Sequence, residues 1–329
     1  MSLMTELANF LREHDDYAIL GHISPDGDTA GSCIALALAL RTLGKRAVVC
    51  LPEGLPEMYK VFDCTVEIVS DLKLPFAPKT GLSVDVSELP RLGAGEKLFL
   101  SCEHTAMIDH HETNPGFGEV YFVDGDAAAT GELAEELIAE MGVELSVEMA
   151  TWLYIALTTD SGRFGYASTR AETMEAGAAC LRAGIDVDGI TQKLYRTRSE
   201  GRTRLLGLVL AGLELDEKKE MCWARATSDM FARANALRED NEGIVNYLVE
   251  MQGVRFACLA EQRGSSTKFS LRAKPPLDVA EEVAVPLGGG GHACAAGVTL
   301  NLPMEDALQK VLQRAREALD KLQETKASE

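Results

Sequence analysis

A chain of 329 residues, 46% apolar and 25% charged, has the make-up of a folded globular protein and the length for two domains. Its net charge of −19 is concentrated at the front: residues 1–205 hold 17 basic and 32 acidic side chains (−15), and residues 206–329 hold 15 and 19 (−4). That balance excludes the basic track that long duplex nucleic acid requires, and no stretch approaches the roughly 20 apolar residues of a membrane span.

The N-terminus shows no basic region leading into an apolar core, so a cytoplasmic location is expected. The eight cysteines are scattered, without a CxxC pair, and most sit in apolar runs such as Val48-Val49-Cys50. They read as reduced core thiols and not as a disulfide framework.

Thr5–His14 has helical spacing, and Tyr17–Gly21 reads as a short buried strand. His22-Ile23-Ser24-Pro25-Asp26-Gly27-Asp28-Thr29-Ala30-Gly31 follows as a loop, because proline and glycine interrupt it. It feeds an apolar helix over Ser32–Leu43 and then a strand over Arg46–Leu51. Polar groups thus stand at the C-terminal end of a strand, where open parallel α/β sheets place ligands. Asp26 and Asp28, one residue apart, suit two neighbouring cations; the plain alternative is a solvated acidic turn.

Pro52–Pro78 is irregular. Gly81–Ser87 reads as a strand ending in Asp85, which is either a helix cap for Glu88 onward or a further ligand. Lys97–Cys102 reads as a short strand. Thr105–Asp109 is a strand running into Asp109-His110-His111, and Tyr121–Asp124 is another. A helix starts at Thr130, a plausible N-cap, and runs to about Gly142. An apolar helix over Val147–Thr159 delivers Asp160 to its C-terminal end. A carboxylate opposes the helix dipole there, so a cation is expected to compensate it. Thr169–Ala183 and Val187–Tyr195 read as helices. Arg196–Arg204 is polar and basic and reads as a connector.

From Leu205 the runs shorten and alternate. Met221–Ala226, Val254–Glu261 and Lys268–Ala273 are candidate strands, Asn241–Met251 a helix and Met304–Gln323 an amphipathic helix. Arg272 ends a strand and can grip a phosphate in bidentate fashion; its alternative is an ordinary surface arginine. Gly288-Gly289-Gly290-Gly291-His292 lets a phosphate approach backbone N–H groups, although a glycine run alone is weak evidence.

Taken together, His22, Asp26, Asp28, Asp85, His110, His111 and Asp160 form an inventory of carboxylates and imidazoles suited to two Mn²⁺ or Mg²⁺ ions more than to zinc. Such a pair clamps a phosphoryl centre and generates a hydroxide nucleophile. His22-x-x-x-Asp26-x-Asp28, Asp85, Asp109-His110-His111 and Asp160 resemble the four motifs of the DHH phosphoesterase superfamily. Gly289-Gly290-Gly291-His292 with Ala295-Ala296-Gly297 resembles the signature of its DHH-associated C-terminal domain. Length and layout are most similar to the nanoRNase/pAp phosphatase branch.

The resemblance implies an α/β fold: a parallel-sheet catalytic domain (1–190), a connecting helix (191–205), and a smaller α+β substrate-binding domain (206–329) with a cleft between the two. It implies that His22, Asp26, Asp85 and Asp160 hold one Mn²⁺ and that Asp28, Asp85, His110 and Asp160 hold the other. His111 and Asp109 are then catalytic, His111 facing the phosphate and Asp109 orienting the histidines. Arg272, Gly289, Gly290, Gly291 and His292 take the nucleotide, with Arg91 nearby. The implied activity is hydrolysis of short oligoribonucleotides to mononucleotides, removal of the 3′-phosphate of pAp, or both.

The alternatives on the same site are a pGpG/pApA-type linear dinucleotide phosphodiesterase and a pyrophosphatase or polyphosphatase. From another class comes a non-catalytic nucleotide sensor. Expected partners are short oligonucleotides or pAp, with neither long duplex nucleic acid nor a membrane, and a homodimer is open as an alternative to a monomer. Ser161 stands where threonine is common in the family, and Pro286 where alanine and aromatic residues are usual.

Overall fold

Four apolar residues, Tyr17–Leu20, form the first strand, β1, buried along its whole length as a central parallel strand must be. The computed structural model describes residues 2–328, with side chains through residue 323. The chain divides into two compact units, Met1–Thr197 and Arg198–Glu329.

In the first unit β1 is joined by β2 (Ala47–Cys50), β3 (Ile68–Val69), β4 (Thr80–Val84), β5 (His104–Asp109) and β6 (Val120–Val123). The sheet order is β3-β2-β1-β4-β5-β6, and every pairing is parallel. The order reverses direction between β1 and β4, which is the ligand-binding switch point of open α/β sheets. Helices α1 (Leu3–Glu13), α2 (Gly27–Thr42), α3 (Glu96–Ser101), α4 (Thr130–Glu140), α5 (Val147–Asp160), α6 (Ala171–Arg182) and α7 (Val187–Thr191) complete the unit. Helix α2 is buried from Gly27 through Leu40; past Asp28, Thr29 and Ser32 near its start it is apolar on every side, with no amphipathic stripe. A Cβ at Gly31 would sit 2.3 Å from the Trp152 carbonyl, and the glycine allows α2 and α5 this close approach.

Four expectations are corrected here. Helix α2 begins at Gly27, not Ser32, because the Asp26 side chain caps it by accepting from the Asp28 and Thr29 amides. Asp28 and Thr29 therefore belong to its first turn. Lys97–Cys102 is not a strand: α3 occupies Glu96–Ser101, burying Phe99 and exposing Leu100. Thr130 is not the N-cap of α4; Ala129 is, and Ala has no oxygen for the task. The helical stretch from Val187 is interrupted, α7 ending at Thr191 before a wider π turn over Gln192–Arg196.

The second unit comprises α8 (Glu200–Ala211), β7 (Glu214–Leu215), β8 (Met221–Ala226), α9 (Ser228–Ala234), α10 (Ile244–Val249), β9 (Phe256–Arg263), β10 (Ser266–Ala273), β11 (Gly290–His292), β12 (Ala295–Leu300) and α11 (Met304–Ser328). Its sheet order is β11-β12-β10-β9-β8-β7, antiparallel except for β8 with β9. Apolar clusters cover both faces, one including Phe269, Leu271 and Val311, the other Leu205, Val245 and Leu259. All eight cysteines are free; five are buried and Cys294 is exposed. Among the described residues no helix is long and apolar enough to cross a membrane.

Candidate metal centre

The C-terminal ends of β1, β4 and β5 lie side by side and deliver His22, Asp85 and the Asp109-His110-His111 triplet to one place. The first turn of α2 adds Asp26 and Asp28, and the last residue of α5 adds Asp160. Among the described residues three donor groups have their ligand atoms within 4.8 Å of one another: His22–Asp26–Asp85, Asp28–His110–Asp160, and Asp85–His110–His111. Asp85 belongs to two of them. All seven residues of the expected inventory are brought together.

The local backbone shows how. Asp85 has φ of +59°, which turns the chain sharply as β4 ends; Asp tolerates this left-handed conformation better than most residues. Its carboxylate accepts from the Thr29 hydroxyl at 2.5 Å and the Thr130 hydroxyl at 3.0 Å. As a ligand candidate it therefore faces the site and does not cap Glu88, whose own short helix has no side-chain cap. Asp28 takes over the capping that Ala129 cannot perform. Its two oxygens accept from the Thr130 and Gly131 amides at 2.7 and 2.8 Å, at the positive end of α4. Gly131 permits this approach, since a Cβ there would meet Ala156 Cβ at 2.6 Å.

Hydrogen bonding distinguishes the two adjacent imidazoles. His110 Nδ1 donates to the Ala127 carbonyl at 3.1 Å, which turns Nε2 toward Asp160, Asp28 and Asp85 at 3.4, 3.7 and 3.8 Å. With Nδ1 held by a peptide carbonyl, Nε2 is the nitrogen placed to share a cation with these carboxylates. His22 repeats the pattern: Nδ1 is on the Ile23 carbonyl at 2.6 Å, and Nε2 is 3.6 Å from Asp85. His111 differs. Its Nδ1 donates to the fully buried Asp109 carboxylate at 2.8 Å, and this bond raises His111 to about 9.

The carboxylates are crowded. Burial, followed by the charges of Asp85, Asp160 and Asp26, pushes Asp28 well above the usual carboxylate range. Burial raises Asp160 to about 6, with Asp85 and Asp26 adding and His110 opposing. The ion pairs these acids make among the described residues are to histidines, with no arginine or lysine. Oxygen-rich donors, two imidazole Nε2 atoms among them and crowded carboxylates with no arginine or lysine partner fit hard divalent cations.

Several supporting residues escaped the sequence reading. Thr29, Thr130 and Ser32 hold Asp85 and Asp28, the Ser32 hydroxyl donating to Asp28 at 3.1 Å. Asn114 donates to Asp109 at 2.6 Å, fixing the carboxylate behind His111. A weak signal existed for two of them: Thr29 stands three residues after the cap Asp26, and Asn114 closes a turn onto the His111 carbonyl.

In the second unit the glycine run is not an open loop. Gly290–His292 is an edge strand, and Gly289 lies so close to β12 that a Cβ would meet the Gly297 carbonyl at 2.2 Å. Register pairs His292 with Ala295 and Ala295 with Arg272, so His292 and Arg272 flank Ala295 in one cross-strand row. Side chains in such a row share a face. Arg272 donates to Asn246 at 3.0 Å. Arg91, in the first unit, is exposed, and its carbonyl accepts from Ile23 N beside His22.

Comparison with known proteins agrees with this layout. Residues 16–157 match the DHH family, N-terminal domain, and residues 228–321 match the DHHA1 domain. The chain is 32% identical over 304 residues to the bifunctional oligoribonuclease and PAP phosphatase NrnA of Thermus thermophilus, covering 92% of this chain and 89% of that protein. It superposes on an exopolyphosphatase-related protein from Bacteroides fragilis with a TM-score of 0.88 and 27% identity, covering 95% and 96% of the two chains. Thermus thermophilus RecJ, solved with Mn²⁺, has the same fold at a TM-score of 0.55 and 14% identity, matching 96% of this chain and 55% of that one.

Proposed function

The chain belongs to the DHH family of phosphoesterases, hydrolases of phosphoester bonds, and on that premise we propose that it cleaves short oligoribonucleotides to mononucleotides and removes the 3′-phosphate of pAp. The observation that carries the reading is the pairing of two donor triads, His22–Asp26–Asp85 and Asp28–His110–Asp160, at the switch point of the sheet. The first triad would hold one divalent cation and the second another, with Asp85 and Asp160 serving both. Mn²⁺ is the proposed ion and Mg²⁺ the alternative. Such a pair supplies Lewis acidity toward a phosphoryl group and lowers the pKa of water.

The chain's own residues do the rest. Asp109, held by Asn114, orients His111 so that its Nε2 side is offered to a phosphate oxygen. Thr29 and Thr130 keep the Asp85 carboxylate from rotating. Arg272, His292 and the glycine segment Gly289, Gly290 and Gly291 are proposed to bind the nucleotide's terminal phosphate, with Arg91 as a further phosphate contact. Catalysis on this reading is mostly positional and electrostatic. The net −15 over residues 1–205 favours a small substrate gripped at one point over a long strand tracked along a surface.

The test is a substrate panel with purified protein and either Mn²⁺ or Mg²⁺: pAp, labelled di- and trinucleotides including pGpG, a long RNA, pyrophosphate and polyphosphate. Turnover of pAp and the shortest RNAs is expected. Equal turnover of the long RNA would overturn the short-substrate reading. Cation binding without turnover of anything would favour a nucleotide sensor.

A further inference from the structure

Three of the contacts that shape the metal centre come from one short segment, residues 124–131. It presents the Ala127 carbonyl to His110 and the Thr130 and Gly131 amides to Asp28. Its own sequence, Asp124-Gly125-Asp126-Ala127-Ala128-Ala129, supplies one turn, in which the Asp124 carboxylate accepts from the Asp126 amide at 3.0 Å. The rest of its bracing comes from elsewhere. Glu132, 4% exposed, accepts from the Arg170 guanidinium at 2.6 Å, the Thr173 hydroxyl at 2.6 Å and the Ala128 amide at 3.3 Å. Arg170 reaches on to Asp124 at 2.7 Å. Asp124 is in turn tied to the triplet, its amide donating to the Asp109 carbonyl at 3.2 Å, and its carbonyl accepts from Ala127 N at 3.2 Å.

A buried carboxylate is costly unless each oxygen is satisfied and its charge is paired. Here that expense is met by an arginine on the N-cap of α6, and the planar guanidinium fork spans two acids at once. Both ends of the 124–131 segment are therefore clamped by one side chain. Resting on the functional reading above, we propose that Arg170 and Glu132 are positioning residues of the metal centre. By fixing residues 124–131 they set the tautomer and ring direction of His110 and hold Asp28 in place. Neither touches a ligand atom or the substrate.

The experiment compares Arg170→Ala, Arg170→Lys and Glu132→Gln with the parent protein. Mn²⁺ binding is titrated by the loss of the free-ion electron paramagnetic resonance signal, and kcat and KM for pAp are measured. Arg46→Ala is the control. It breaks a comparable pair with the largely buried Asp16 at the opposite end of the strands. Outer partners of metal ligands are worth about 10–100-fold in affinity.

Arg170→Ala is expected to bind Mn²⁺ at least about 10-fold more weakly, with kcat falling more than KM rises. Lysine should recover part of this, since it can pair with one acid but not bridge both, while Arg46→Ala keeps parental affinity. Arg170 variants that lose thermal stability yet bind Mn²⁺ within twofold of the parent would overturn the proposal and leave the functional reading standing. If Arg170→Ala does not fold, the milder Glu132→Gln decides on the same criterion. A parent protein that binds no Mn²⁺ would sink both.

Discussion

Asp85→Asn isolates the metal question from the fold. Asparagine tolerates the left-handed backbone at φ +59° as aspartate does. It also keeps both neighbours, because the Thr29 and Thr130 hydroxyls can either donate to its oxygen or accept from its amide. Without metal, the variant removes one charge from a cluster in which Asp85 raises both Asp28 and Asp160. Its stability in EDTA should therefore equal or exceed the parent's.

With metal the outcome reverses. At a free Mn²⁺ concentration 100 times Kd, each parental site adds about 2.7 kcal/mol, or about 5 kcal/mol for two. The first unit spans Met1–Thr197, and for that size 1 kcal/mol moves Tm by roughly 2–4 °C, so the expected shift is about 10–20 °C. A variant bound 100-fold more weakly gains only about 0.4 kcal/mol per site, or about 2–3 °C altogether. Differential scanning calorimetry with and without Mn²⁺ reads both numbers. An Asn variant that keeps more than half of the parental Mn²⁺ shift would refute the shared-ligand role of Asp85. One destabilised in EDTA by more than about 2 kcal/mol would show that the carboxylate is structural instead.

His110→Ala should leave the circular dichroism spectrum intact, cut activity by more than about 100-fold and reduce bound Mn²⁺ from two ions to one by equilibrium dialysis, because it empties the Asp28–His110–Asp160 group. Gly131→Ala places a Cβ 2.6 Å from Ala156 Cβ and 3.3 Å from an Asp28 oxygen; urea unfolding should show a loss of about 1–3 kcal/mol, with weaker Mn²⁺ binding. In the second unit, burial raises Glu261, but Arg263 and Arg238 outweigh it and hold the acid below its ordinary 4.5. Its stabilisation is therefore present above pH 4.5 and is lost as pH falls through the lowered folded value. Denaturation followed through Trp223 should show Glu261→Gln less stable than the parent at pH 7 and the gap closing below pH 4.5.

Strands that end in function were legible because an apolar run followed by His or Asp marks a buried strand meeting a ligand; β1 with His22 and β5 with Asp109 are examples. Helix α3 was not, since Leu98-Phe99-Leu100 is a short continuous apolar run that periodicity alone cannot assign to strand or helix, and the structure buries Phe99 while exposing Leu100. The capping of α4 by Asp28 was hidden for a different reason: donor and acceptor lie 102 residues apart. Arg170 and Glu132 are 38 apart, and each alone looks like an ordinary surface charge. Local signals report what a residue does to its own backbone; they carry no record of what a distant backbone requires of it.

The Asp109-His110-His111 triplet shows the same limit at closer range. Two identical side chains stand side by side, their rings 4.9 Å apart. Spacing cannot assign them different tasks, because the difference lies in what each Nδ1 meets. A peptide carbonyl at His110 takes the Nδ1 side of the ring, so Nε2 is the nitrogen turned toward the carboxylates of Asp160, Asp28 and Asp85, where a cation would sit. A buried carboxylate at His111 holds the ring in a cationic form suited to an anion. The two partners, Ala127 and Asp109, are set by the β6–α4 connection and by the end of β5 respectively. The chemical contrast between adjacent histidines is therefore a property of topology, set by which acceptor each Nδ1 is given.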